Sequence, residues 1–262
     1  MRPYLCILWL AAAGGCTCGE RAPSAPSPQK PAVEASTPEP VKPAPKTLLD
    51  ENFAEAGDAK DWSSWVHHLG EGAWSLAYGA EGLTVNLETY GRAAEEVSVV
   101  ALRYRGAQEV LTAPKRFRLA MEWLEDSNSN YLSAGLALVP SASPDGGDPR
   151  DLPEAVHLSF IGSGDEGRAR RELVVNRRGS AIHRETEGWP KVEPQGRKVG
   201  KTELILTVGA SVMRLEEAGR EPVSISHGPG FAEGNLVLFV ASHSNSMRRA
   251  VRFTNLAIEA VD

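Results

Sequence analysis

FRLAMEWLEDSNSNYLSAGLALV, residues Phe117–Val139, reads as two long strands joined by a polar turn. In the first half Phe117, Leu119, Met121 and Trp123 alternate with Arg118, Ala120 and Glu122. That period of two sends one row of side chains into a core and the other away from it. Glu125 to Asn130 make the turn, where short Asp, Ser and Asn side chains bond to the local backbone in place of a strand ladder. From Tyr131 the alternation resumes, with Leu132, Ala134, Leu136 and Leu138 on one face and the small Ser133, Gly135 and Ala137 on the other. The small-residue face is flat enough to receive a flat ligand.

Working outward, Leu48 to Phe53 opens the globular part, and Gly72-Ala73-Trp74 and Gly82-Leu83-Thr84-Val85 lead into two strands around the turn Ala80-Glu81-Gly82. Further strands are predicted over 96–104, 107–111, 155–161, 172–176, 181–185, 203–208, 211–215, 222–226, 235–242 and 250–261. No long stretch carries an apolar period of 3.6, so helix is minor. Many short strands separated by turns predict an all-β chain, a two-sheet antiparallel β-sandwich or a closed barrel. NLVLFVA, from Asn235, is apolar on both faces and suits a central strand covered on both sides. SASPDGGDPRDLP, from Ser141, reads as a long loop, the kind of connection that often carries function.

The chain has 262 residues, 42% hydrophobic and 24% charged, enough for one large domain with appendages. A net charge of −6 argues against a nucleic-acid partner, which demands a positive surplus. Cys6, Cys16 and Cys18 all precede the globular part, which therefore has neither disulfide nor thiolate metal site.

Met1-Arg2, the apolar run Leu5 to Ala13 and the small residues Ala13-Gly14-Gly15 before Cys16 form a segment too short to span a bilayer, which takes about 20 residues. The pattern resembles a bacterial lipoprotein signal, although Ala13 stands where that family usually has Leu. The resemblance implies removal of 1–15, acylation of Cys16 and membrane contact through that lipid anchor alone. Thr17 in place of Asp points to the outer membrane in a host with two membranes; ordinary secretory cleavage is the alternative. Residues 16–47 then form a linker in which 21–47 hold eight of the 18 prolines, an extended polyproline-like tether. The folded domain is expected over 48–262.

Phe53, Trp62 and Trp65, Gly72-Ala73-Trp74, Phe117-Arg118-Leu119 with Glu122-Trp123, and Gly234-Asn235-Leu236-Val237 leading to Phe253-Thr254-Asn255-Leu256 resemble the concanavalin A-like lectin/glucanase jelly roll. Within that superfamily the chain is most similar to 3-keto-disaccharide hydrolase-type and LamG-like domains. The resemblance implies a jelly-roll sandwich and a carbohydrate or polysaccharide partner, with glycoside cleavage as the activity of the enzymatic relatives.

Glycoside cleavage needs two carboxyl groups about 5 to 9 Å apart. Glu122 and Asp126 are the local candidates, with Glu122 directed away from the core if Trp123 enters it. The Glu-x-Asp-x-x-Glu pattern used by jelly-roll glucanases is absent, and Glu122 and Glu125 lie three apart, hence on opposite faces of a strand. No cofactor is expected, with calcium as the alternative, for which Asp145, Asp148 and Asp151 beside Gly146-Gly147 offer oxygen ligands. The six histidines form no ligand-spaced cluster; His157, between Val156 and Leu158, faces away from the core, towards solvent or a groove, and is a ligand-binding candidate. Trp62, Trp65, Tyr131 and Trp189 are the candidate platforms for a sugar ring, with Trp74 and Trp123 assigned to the core. The leading expectation is a carbohydrate-binding domain without catalysis; a glycoside-cleaving enzyme and a structural or protein-interaction scaffold are the alternatives.

Overall fold

A strand with one apolar row needs a second layer to bury it. The computed structural model supplies two antiparallel sheets that do so for each other. It describes residues 44–54, 58–91, 96–106, 114–124, 132–152, 154–161, 170–177, 180–186, 201–216, 221–226, 234–243 and 247–261. Cys16, the linker up to residue 43, the strand predicted at 107–111, Asp126, Tyr131 and Trp189 lie outside the described residues.

In chain order the strands are β1 (Thr47–Glu51), β2 (Trp62–His67), β3 (Ala73–Gly79), β4 (Gly82–Thr89), β5 (Ser98–Tyr104), β6 (Lys115–Trp123), β7 (Leu132–Val139) and β8 (Val156–Ile161). They continue with β9 (Arg170–Arg177), β10 (Ser180–Thr186), β11 (Lys201–Val208), β12 (Val212–Glu216), β13 (Val223–Ser226), β14 (Asn235–Ser242) and β15 (Met247–Ala260). The helical content among the described residues is one 3₁₀ turn at Asp58–Asp61. One sheet runs β13-β12-β11-β6-β15-β4-β3, with β1 also paired to β15; the other runs β10-β9-β8-β7-β14-β5-β2.

β6 and β7 are the strands expected from the opening motif, but they do not pair: β6 sits between β11 and β15, and β7 between β14 and β8 in the opposite sheet. The two strands therefore face each other from opposite sheets. Phe117, Leu119, Met121 and Trp123 from one sheet and Leu132, Ala134, Leu136 and Leu138 from the other belong to one buried cluster. β14 is a central strand, flanked by β7 and β5.

β2 was not foreseen, because WSSWVH has no clean alternation. Trp62 and Val66 pack with the inter-sheet core, whereas Trp65 packs with a separate cluster on the other side of the sheet. Trp62 is buried against Phe53, with ring centroids 5.9 Å apart, and against Tyr104 at 5.3 Å. It is core rather than an exposed platform, while Trp74, assigned to the core from sequence, is only partly buried. Phe53 itself adopts the left-handed backbone region, φ 57°, steadied by its N–H donating to Glu51 Oε1 at 2.8 Å.

The outer faces of the two sheets differ. The first carries a lattice of charges: Arg252 reaches both Glu81 and Glu122, Arg248 reaches Glu88, and Arg118 reaches Glu203. Exposed pairs of this kind contribute up to about 1 kcal/mol each. On the second sheet the outward rows of the three central strands are small or apolar apart from Arg103 and Asn235, and include Ala101, Gly135, Ala137, Val237 and Phe239.

Gly135 lies opposite Phe239 on one side and Ser159 on the other. A Cβ there would stand 2.0 Å from the Leu158 carbonyl oxygen. Gly135→Ala therefore forces the β7 and β8 backbones apart, with an expected loss of about 2 kcal/mol, in the range of overpacking, measurable by urea denaturation.

Candidate functional site

The apolar outer face of the second sheet is covered by the connection from β7 to β8, residues 140–155. Leu152 and Ala155 from this connection pack on Val99, Ala101, Ala137, Val237, Phe239 and Ala241, forming a second, smaller core outside the sandwich. Trp65 closes its edge, and its indole Nε1–H donates to the Gly147 carbonyl at 2.9 Å. Gly146 and Gly147 have φ of +117° and +70°, and no atom lies within 4 Å of a Cβ built on either. Their lack of a side chain serves the backbone turn rather than close packing.

Two arginines lie across aromatic rings on this face. The Arg103 guanidinium is 5.5 Å from the Trp65 ring centroid, and that of Arg150 is 5.4 Å from Phe239. Each is held by a loop carboxylate. Arg150 donates from Nε to Asp148 Oδ1 and Oδ2 at 2.9 and 3.1 Å, and from Nη2 to Oδ2. Its Nη1 donates to Ser133 Oγ at 2.9 Å and lies 3.4 Å from His243 Nε2. Arg103 donates to the carbonyls of Ser143 and Pro144 at 2.6 and 3.1 Å, and its Nε stands 3.1 Å from Asp145 Oδ1 as an ion pair. Arg105 pairs with Asp145 Oδ2 and donates from Nε to Ser63 Oγ at 2.9 Å.

Two of the three acids read from sequence as calcium ligands face arginines. Asp145 is occupied by Arg103 and Arg105, and Asp148 by Arg150. Among the described residues no three carboxylate, imidazole or thiol groups converge as a metal cage. Glu122 is half-buried on the outer face of the first sheet beside Arg252, so it shares no face with the loop acids. His157 does face away from the inter-sheet core, but it is buried, edge-on to Phe239 at 6.3 Å.

Burial pushes the Asp148 carboxyl up, but the hydrogen bonds and charge of Arg150 outweigh it and hold the group below the ordinary carboxylate value. Asp151 is pushed the other way, by burial first and then by the Asp148 charge. Burial, and after it neighbouring His68, lowers the pKa of His67. Desolvation also lowers that of Arg103.

Arg103, Arg105 and Arg150 were not among the candidates read from sequence. Arg103 was findable. In SVVALRY it occupies the same outward parity as Val99 and Ala101, and a charge in an otherwise apolar row requires a partner brought from elsewhere.

No family model matches the chain, and no curated protein matches it. Solved structures with similar backbones include a β-glucanase of Bacillus licheniformis (TM-score 0.52, 6% identity, 83% of this chain and 99% of that one). Others are the catalytic domain of an endo-1,3-β-glucanase (laminarinase) from Thermotoga petrophila (0.56, 8%, 82% and 98%) and a GlcNAcα1-4Gal-releasing endo-β-galactosidase from Clostridium perfringens (0.56, 9%, 84% and 64%). These likenesses show the fold, a two-sheet antiparallel jelly-roll sandwich like that of the glucanases. In this jelly roll the outward positions of β5, β7 and β14 carry no carboxylate, and Asp145 and Asp148 reach the face from the loop.

Asp148 fixes a pH dependence. Its folded pKa lies below the unfolded value near 3.8, so the pair stabilises the fold above that pH and the contribution is lost as pH falls through the lower folded value. Removing one partner of a buried pair costs about 3 kcal/mol or more. Asp148→Asn is expected to lose that amount at pH 7 and to show a flatter stability profile below pH ~4, as read by denaturation at several pH values.

Proposed function

We propose that this is a carbohydrate-binding domain of a lipid-anchored envelope protein, the saccharide seating on the outer face of the seven-stranded sheet beside the 140–155 connection. The observation that carries it is a half-buried indole, Trp65, set beside hydrogen-bonding side chains whose positions are fixed by their own partners: Ser63, Arg103 and Arg105. An aromatic surface flanked by a few convergent polar groups is the usual form of a sugar site. The sugar-degrading enzymes that share the fold agree with this at the level of architecture, where one scaffold serves many functions. A proton-donor role is disfavoured for Asp148, since a donor at neutral pH needs a raised pKa. Attachment through Cys16 rests on the signal-like segment before it and the proline-rich stretch after it.

One observation favours a glycoside-cleaving reading instead. Asp148 and Asp151 have pKa values displaced in opposite directions, the arrangement that divides base from acid in carboxylate pairs. In that reading Asp151 supplies the proton and Asp148 stays ionised.

A polysaccharide pull-down with the full chain, followed by assay of reducing ends, separates the two. Binding is expected without release of reducing sugar, and Trp65→Ala is expected to weaken it about tenfold or more, some 1.4 kcal/mol. Release of reducing ends that disappears in Asp151→Asn would instead establish the enzyme.

A further inference from the structure

The two arginine–aspartate pairs on this face are built differently. Asp148 and Arg150 are 6% and 11% exposed, with both carboxylate oxygens taken by the same guanidinium. Asp145 is 35% exposed and stands between two guanidinium groups, one 3% and the other 46% exposed. Two cations on one accessible anion leave a positive surplus at that point of the surface.

Both cations have anchors besides Asp145. Arg103 is fixed by the Ser143 and Pro144 carbonyls and by the Trp65 ring. Arg105 is fixed by Ser63 Oγ. The carboxylate they share is the least secured member of the group. It precedes two glycines whose Cβ positions face open space, and its contact with Ser63 Oγ is long, 3.4 Å. Withdrawing the Asp145 side chain therefore opens a two-arginine fork without opening the apolar core beneath.

We infer that Asp145 is an internal stand-in for a ligand carboxylate, and that the Arg103–Arg105 fork binds the carboxylate of an acidic, uronate-containing saccharide. The inference rests on the carbohydrate-binding reading and narrows its ligand class. Planar two-point contact between guanidinium and carboxylate supplies directional recognition, and the resident Asp145 sets a threshold that neutral sugars gain nothing by crossing.

The test is titration of the full chain, by calorimetry, with oligogalacturonate, oligomannuronate and hyaluronan oligosaccharides, each beside its methyl-esterified form. At least one acid form is expected to bind more tightly than its ester. Asp145→Asn should tighten the acid form about tenfold and Arg105→Gln should weaken it by a similar factor, each changing the acid form more than the ester. Urea midpoints of both variants check folding; Arg105, being largely exposed, is the variant least able to disturb it. Acid and ester forms that bind equally and depend on Trp65 would overturn the uronate assignment while leaving saccharide binding intact. Loss of acid binding in a folded Asp145→Asn would overturn it too, and no binding of any saccharide would overturn both readings.

Discussion

Strand β14 is apolar on both faces, and the outer architecture of its sheet follows from that. Leu236, Leu238 and Val240 are satisfied by the opposing sheet, but Val237, Phe239 and Ala241 point outward and need a cover of their own. The 140–155 connection contributes little apolar mass, chiefly Leu152 and Ala155. Arginine completes the lid, since a guanidinium is flat, weakly hydrated and able to lie on a ring. Arg150 from the connection covers Phe239, and Arg103 from the sheet covers Trp65. Burying a cation is costly unless it is paired, and this accounts for the acids: Asp148 answers Arg150, and Asp145 answers Arg103 and Arg105. Two members of the aspartate series, Asp145 and Asp148, are the counter-charge of a covered sheet.

The division between what sequence disclosed and what it hid has a physical basis. Period-two alternation is local, so β4 through β8 and β11 through β15 were legible from their own residues, as was the two-sided burial of β14. Alternation reports which side chains share a face but not which sheet the strand joins. Glu122 was correctly directed away from Trp123, yet the strand carrying it entered the sheet opposite the one bearing Ser133, Gly135 and Ala137. Partners distant in the chain were equally hidden. Asp145 lies 40 residues from Arg105 and 82 from Ser63 in sequence, and nothing local to SASPDGGDPRDLP distinguishes an ion-paired acid from a metal ligand.

The two outer faces answer different demands. Arginine and glutamate lattices on the first sheet remain open to water, where each pair contributes little and the face as a whole stays soluble. On the second sheet the same residue types are drawn inward, and there each contact settles the position of a ring or a backbone turn.

β15 has a consequence for the order of assembly. It lies between β6 and β4 and also pairs with β1, although all three precede it by a long stretch of chain. Until β15 is synthesised, β4 and β6 each lack an inner neighbour, and β1 has no described strand to join. Contacts this distant make for slow folding, so the sheet that β15 completes closes only once β15 itself is in place.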